Sequence, residues 1–303
     1  MDVEQLRWGA RGPATLAGLR AYALEVARDL DPGSRYVREL LAALDASTSV
    51  DDYLARLCDA ERTAGFRQDG SQASHGERGF SWVDGETWAE MDPWERTLSN
   101  LLTGETRMMW AGDGAADFAR LDEVLAALPP GGRVLSVPCS TGKEPFSIAV
   151  AALRAGRGDL AITGVDRQPA YVARARSGRL VAHHRDRGAD AARWLVSDPD
   201  GRTRVAPEVL ALCAFEVGDV LTGALPPAAS FDLVSCRNLL GYFRGESLDL
   251  ALDNVLARVR PGGVVLLDPF VAHAPEMRQA QERLAAARLR RRWAGLSFFD
   301  APT

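Results

Sequence analysis

The stretch richest in chemistry is Val134-Leu135-Ser136-Val137-Pro138-Cys139-Ser140-Thr141-Gly142-Lys143-Glu144-Pro145. An apolar, strand-type run gives way to small residues, and a helix-type run follows from about Glu144. Small residues let a backbone approach a ligand closely, and a helix start offers free N–H groups. Asp166 ends the next apolar run, 24 residues after Gly142. A carboxylate there can accept two hydrogen bonds from a ribose diol. Its plainer use is to cap the helix that follows. Asp219 and Val220 suit an adenine edge: a carboxylate for the exocyclic amine and an apolar side chain for the ring. Arg237-Asn238-Leu239 offer backbone that can reach an amino-acid moiety. The set describes a nucleoside with a zwitterionic tail rather than a pyrophosphate. Neither GxGxxG nor the GxxxxGK[ST] phosphate loop is present.

These residues need elements to position them. Arg133–Pro138, Leu160–Asp166, Phe215–Asp219, Phe231–Cys236 and Gly263–Asp268 read as buried strands, the last after a Pro261-Gly262-Gly263 turn. Helices are expected from about Glu144 to Ala155 and from Pro169 to Ser177, the latter with Pro in a tolerated first-turn position. Strands alternating with helices predict an α/β, Rossmann-like, mostly parallel sheet covered on both faces. Ligands in such a sheet bind beyond the carboxyl ends of the strands. Residues 178–214 are too long for a simple connection and read as an inserted subdomain. The expected division is an N-terminal helical domain over 1–115 and an α/β domain over 116–303. Helical spacing is visible in Leu16, Leu19, Tyr22, Val26 and Leu30, and again in Val37, Leu40, Leu41 and Leu44. Ser49, with Asp52 three residues on, reads as an N-cap before Tyr53, Leu54 and Leu57. Residues 68–77 (QDGSQASHGE) read as a polar loop, and Trp82, Trp88 and Trp94 as a packed cluster.

Composition narrows the field. The chain has 303 residues, 47% apolar and 25% charged, with net charge −5. Residues 1–100 hold 11 Arg against 18 Asp and Glu, so that third carries −7 and the remainder +2. This balance does not suggest a nucleic-acid or membrane-surface binder. No run approaches the ~18 apolar residues of a membrane span, and the first residues lack a secretory pattern. Cys58, Cys139, Cys213 and Cys236 are too far apart for a disulfide framework or a zinc site. The expectation is a cytoplasmic protein without a structural metal. Of 36 basic residues, Lys143 is the only lysine. It lies in the first loop, where it could pair with Glu144 or an acidic acceptor, or simply face solvent.

On these residues the chain resembles the CheR-type chemotaxis methyltransferases, which methylate receptor glutamates with S-adenosylmethionine. The family's first signature reads roughly GCSTGEEPYS; residues 138–147 read PCSTGKEPFS. The second reads roughly FDxIxCRNxLIYF; residues 231–243 read FDLVSCRNLLGYF. The resemblance spans about residues 97–268 and implies a class I methyltransferase sheet. It implies S-adenosylmethionine as cofactor and S-adenosylhomocysteine as product. Glu144 would take the cofactor's ammonium, Asp166 the ribose, and Asp219 and Val220 the adenine. Cys139, Ser140 and Gly142 would form the close-approach loop, with Thr106 also on the cofactor side. Asn238 and Leu239 would line the methionine moiety. Tyr242 would lie near the transferred methyl.

The departures fall on the acceptor side. The family's TxNETxFFR becomes Thr103-Gly104-Glu105-Thr106-Arg107-Met108-Met109-Trp110. Trp110 stands where an Arg is expected to hold the acceptor's carboxylate, and it offers only an apolar face or a π surface. Leu267-Asp268-Pro269-Phe270 replaces the family's GHSE. The sequence reading therefore favours a small-molecule acceptor of specialised metabolism, with Tyr242 and Trp110 at the acceptor. Its alternatives are methylation of receptor glutamates and a non-catalytic sensor that keeps the nucleoside pocket. An acceptor that must lose a proton would need a base, for which Tyr242, His183, His184 and Asp268 are candidates.

Overall fold

A computed structural model of the chain describes residues 115–167, 169–180, 191–197, 203–243, 245–267, 269–273 and 275–303, with short stretches between 15 and 56. The chain divides into two compact units, Met1–Glu105 and Thr106–Thr303. In the first, the Asp52 N–H donates to Ser49 Oγ at 3.0 Å, and Asp52 Oδ2 accepts the Thr48 N–H at 2.8 Å. Ser49 Oγ thus accepts the N–H three residues on, so the expected N-cap at Ser49 is present, while the Asp52 side chain reaches back to the residue before it. Tyr53, one residue on, is buried. The tryptophan cluster and the 68–77 loop lie outside the described residues.

The second unit begins with α1 (Ala115–Ala127), then β1 (Arg133–Ser136), α2 (Lys143–Arg154), β2 (Ala161–Asp166) and α3 (Pro169–Ser177). Next come β3 (Arg179–Leu180), α4 (Ala191–Trp194), β4 (Leu195–Ser197), β5 (Thr203–Val205) and α5 (Pro207–Ala211). They are followed by β6 (Cys213–Val217), β7 (Phe231–Cys236), α6 (Gly245–Leu256) and β8 (Val259–Leu267). The last elements are α7 (Pro269–His273), α8 (Arg278–Ala286), β9 (Arg290–Arg291) and β10 (Phe298–Asp300).

Seven strands form one sheet in the order β6-β2-β1-β7-β8-β10-β9. The first five are parallel, and β10 and β9 are antiparallel additions. The chain moves from β1 to β2 on one side and later from β7 to β8 on the other. The gap between the ends of β1 and β7 is therefore the topological switch point, where open α/β sheets bind ligands. β7 is buried at all six positions, as a central parallel strand covered on both faces must be. Helices α1 and α2 contribute Leu121, Leu125, Phe146 and Ile148 to the core, and α3 contributes Val172 and Ala175. A separate antiparallel sheet, β3-β5-β4, lies within residues 178–214.

Two strand expectations need correction. The Pro261-Gly262-Gly263 turn does not precede the fifth strand; β8 runs through it from Val259. Two steps along β7, Phe231 to Leu233, face five along β8, Val259 to Val264, so the extra residues form a bulge. Gly263 sits where a Cβ would lie 2.7 Å from Val259 Cγ2 and 3.0 Å from the Asp232 carbonyl oxygen. The third strand ends at Val217 rather than Asp219, which lies in the following turn and bridges to Ala224.

Candidate functional site

The loop after β1 is tied to both neighbouring strands. The Val137 N–H donates to the Ser235 carbonyl at 2.9 Å, and the Cys139 N–H donates to the Val165 carbonyl at 2.8 Å. The chain then turns sharply. Ser140 adopts φ +49 and Gly142 φ +96, both in the left-handed region that disfavours residues with a Cβ. At Gly142 a Cβ would lie 2.6 Å from Phe146 Cε2, so the turn and the packing both require glycine. Ser140 is held by its N–H, which donates to Asp166 Oδ2 at 2.8 Å. Asp166 therefore fastens the loop as well as ending β2. Burial, helped by the nearby Asp166 carboxylate, pushes the Cys139 thiol up, so it stays neutral.

Glu144, in the first turn of α2, is 5% exposed. A carboxylate there is favoured by the helix dipole. Its Oε1 accepts the Ser136 hydroxyl at 3.1 Å and the Ser235 hydroxyl at 2.8 Å. These serines are register partners on β1 and β7, so both hydroxyls reach one oxygen across the switch point. Arg237 Nη1 lies 3.6 Å from the other oxygen, Oε2. Lys143 is 4% exposed; it does not face solvent, contrary to the plainer of the two sequence readings.

The third group follows β6. The Gly218 N–H donates to the Asp166 carbonyl at 3.0 Å, which ties this turn to the end of β2. Asp219 Oδ1 accepts the Leu221 N–H at 2.7 Å, an Asx turn that fixes its side chain. The Val220 carbonyl accepts from Asn254 Nδ2 at 2.7 Å. Both residues are buried. After β7, Asn238 is exposed with φ +56 and Leu239 is half-buried, just before a short 3-10 helix at Leu240–Tyr242.

A chain of contacts thus connects Cys139, Ser140, Gly142, Glu144, Asp166, Asp219 and Val220 at the carboxyl ends of the parallel strands. Asn238 and Leu239 stand beside them on the turn after β7. Thr106, Trp110, His183, His184 and Asp268 lie outside the described residues, as does the side chain of Tyr242. Sequence reasoning missed Ser136, Ser235 and the Arg237 side chain as partners of Glu144. The available signal was a serine near the carboxyl end of each of two central strands. It also missed Gly218, where a Cβ would lie 2.2 Å from the Ala224 carbonyl oxygen. Asp232, prominent in the second signature, does different work at the far end of β7. It accepts the Arg133 N–H at 2.7 Å and pairs with Arg260, joining the starts of three strands.

Three buried carboxylates therefore stand at the carboxyl ends of the strands: Glu144 at the switch point, Asp166 at the end of β2, and Asp219 beside the apolar Val220. Among the described residues, no group of three or more His, Cys, Asp or Glu could hold a metal ion. No helix among them is long and apolar enough to cross a membrane.

Comparison with known proteins identifies the family. The family model described as CheR methyltransferase, SAM binding domain, matches residues 105–291. A probable biofilm formation methyltransferase, WspC, from Pseudomonas putida is 34% identical over 157 residues, covering 50% of this chain and 36% of that protein. A chemotaxis protein methyltransferase from Campylobacter jejuni is 27% identical over 158 residues, covering 50% and 58%. One from Listeria innocua is 31% identical over 137 residues, covering 45% and 52%. The chain thus spans about a third to three-fifths of these relatives' lengths. A solved S-adenosylmethionine-dependent O-methyltransferase from Thermotoga maritima aligns at 12% identity and TM-score 0.38, covering 62% of this chain and 54% of that one. With both signatures assembled around one switch point and the family model spanning them, the chain belongs to the CheR methyltransferase family, whose domain here binds S-adenosylmethionine.

Proposed function

We propose that the chain transfers the methyl group of S-adenosylmethionine to a glutamate carboxylate of a chemotaxis-type receptor protein, in the cytoplasm. The observation that carries this is the Glu144–Asp166 site at the switch point, in a chain whose relatives include chemotaxis protein methyltransferases. This reverses the preference for a small-molecule acceptor drawn from the sequence. That reading rested on the acceptor side alone, and the similarity now sets it second.

Bound S-adenosylmethionine supplies a methyl on a sulfonium, activated for in-line displacement. The chain's own task is positioning. Asp166 would hold the ribose diol, and its bond to Ser140 fixes the loop. Glu144, fixed by two serine hydroxyls, would take the ammonium. Asp219 and Val220 would hold the adenine, and Asn238 and Leu239 would line the methionine side. Cys139, Ser140 and Gly142 would bring backbone close. The family resemblance adds Thr106 as a cofactor contact, Tyr242 as the residue near the methyl and Trp110 as the residue for the acceptor. A glutamate carboxylate is already anionic. Such an acceptor would have no proton to lose, so no residue of the chain would need to act as general base.

The second reading, a small-molecule acceptor, is favoured by Met108, Met109 and Trp110, which replace the family's two aromatics and Arg. Labelled S-adenosylmethionine with a receptor cytoplasmic fragment separates the two. Receptor methylation that rises in Trp110→Arg supports the protein acceptor, with Trp110 as a weakened contact. No label on receptor protein, with either the wild type or Trp110→Arg, supports the small molecule.

A further inference from the structure

Parallel strands are usually joined by a crossover helix, but none lies between β6 and β7. Residues 218–230 make that crossing as turns and bends. Asp219 and Val220, near its start, therefore owe their placement to individual bonds. Two are local: the Asp219 N–H donates to the Ala224 carbonyl at 3.0 Å, and the Leu225 N–H donates to the Gly223 carbonyl at 2.7 Å. Two come from α6 and the residues just past it. Asn254 Nδ2 donates to the Val220 carbonyl at 2.7 Å across 34 residues of chain, and Arg258 Nη2 reaches the Gly223 carbonyl at 3.4 Å. Gly223, with φ +69, lets the turn lie against Asn254; a Cβ there would stand 3.3 Å from Asn254 Oδ1. The Val220 carbonyl and the Leu221 N–H belong to one peptide unit, which is planar and stiff. The N–H end of that unit donates to Asp219 Oδ1 at 2.7 Å. Asn254 thus holds one end of a rigid plane whose other end aims the Asp219 carboxylate.

We infer that Asn254 is a positioning residue for nucleobase recognition, setting through this peptide unit the direction in which Asp219 meets the base. This rests on the reading of Asp219 and Val220 as the adenine contacts and adds the side chain that holds them. A carboxylate accepts a hydrogen bond from the exocyclic amine of adenine. Hypoxanthine carries a carbonyl oxygen at that place, which has no proton to give. A hydrogen bond weakens steeply as its angle closes, so the choice between the two bases depends on where the carboxylate points. In the same reading the ribose and the amino-acid tail belong to Asp166 and Glu144, on other loops. Releasing the Val220–Leu221 peptide therefore costs discrimination between bases more than it costs the binding that both bases share. The longer contact from Arg258 steadies Gly223 and does not touch this peptide.

The test is calorimetric titration of the full chain with S-adenosylhomocysteine and with S-inosylhomocysteine, which differs from it in the base alone. The wild type should prefer the adenine ligand by roughly tenfold to a hundredfold, the value of one charge-assisted contact. Asn254→Ala should cut that preference about fivefold, while its affinity for S-inosylhomocysteine stays within about twofold of the wild type. Asn254→Asp keeps the size of the side chain but turns an acceptor toward the Val220 carbonyl, so it should cut the preference at least as far. Near-ultraviolet circular dichroism of each variant reports that the fold is intact. The positioning role is overturned if Asn254→Ala weakens both ligands equally, which marks general support of the fold. It is also overturned if Asn254→Asp keeps the wild-type preference, which marks a side chain that only fills space. Asp219→Ala separates this inference from the reading beneath it. A preference lost in Asp219→Ala but intact in Asn254→Ala overturns the positioning role alone. A preference that survives Asp219→Ala, or a wild type that shows none, overturns the adenine reading and the inference with it.

Discussion

Asp166 fastens the Ser140 loop and is proposed to bind the ribose, and substitutions can separate the two. In Asp166→Ala the Ser140 N–H loses its acceptor inside a loop where Ser140 is only 4% exposed. An unsatisfied buried donor costs ~1–3 kcal/mol. For a unit of about 200 residues, each kcal/mol lowers Tm by ~2–4 °C, so a fall of ~2–12 °C is expected. The ribose diol would lose two hydrogen bonds to a carboxylate at ~1.5–3 kcal/mol each. Affinity for S-adenosylhomocysteine should therefore fall roughly a hundredfold to ten-thousandfold. Asp166→Asn keeps an acceptor for the Ser140 N–H but loses the charge. Its Tm should fall by less than half as much, while affinity still drops about tenfold or more. Thermal melts give the first quantity and calorimetry the second. Wild-type affinity in Asp166→Ala would refute the ribose assignment. Equal melting of the Asn and Ala variants would refute the loop-fastening role.

Other consequences follow from the packing around the site. Gly164→Ala places a Cβ 2.7 Å from Phe215 Cδ1 and 2.9 Å from Cys139 Cβ, so urea melts should show a loss of ~1–3 kcal/mol from overpacking. An unchanged midpoint contradicts that geometry. Ser235→Ala removes the shorter of the two hydroxyl contacts to Glu144 and should weaken S-adenosylhomocysteine about fivefold to thirtyfold, with little change in melting. Unchanged affinity would show that Glu144 needs no such anchor. Burial holds the Cys139 and Cys213 thiols up, so both should resist iodoacetamide at pH 8 in the native protein and react once it is unfolded. Rapid alkylation of either under native conditions, read by peptide mass spectrometry, counts against the core as described.

Much of the site is legible in the residues because close approach to a ligand demands particular types. A turn that must use left-handed backbone shows as Ser140-Thr141-Gly142, and a strand-end carboxylate shows as Asp166. Central strands that must be buried on both faces show as unbroken apolar runs. Thus β7 spans Phe231–Cys236 and α3 spans Pro169–Ser177, as their patterns predict. What escaped depends on partners distant in the chain. Ser136 and Ser235 meet Glu144 only because β1 and β7 are neighbours in a set register. The burial of Lys143 is a property of what surrounds the loop, not of the loop. The Pro261-Gly262-Gly263 stretch looks like a stop signal, yet a bulge lets β8 pass through it. The acceptor-side replacements, Met108, Met109 and Trp110, lie outside the described residues. There the proposed acceptor rests on similarity to chemotaxis relatives rather than on geometry.

The most direct measurement is the chemistry of the product. The full chain is incubated with methyl-labelled S-adenosylmethionine and a cytoplasmic fragment of a chemotaxis-type receptor, and the label is followed through mild base. The account predicts label on receptor glutamates, released by base as methanol, and lost when those glutamates are replaced by alanine. Formation of S-adenosylhomocysteine with the label in a base-stable product, or in no protein at all, would contradict it.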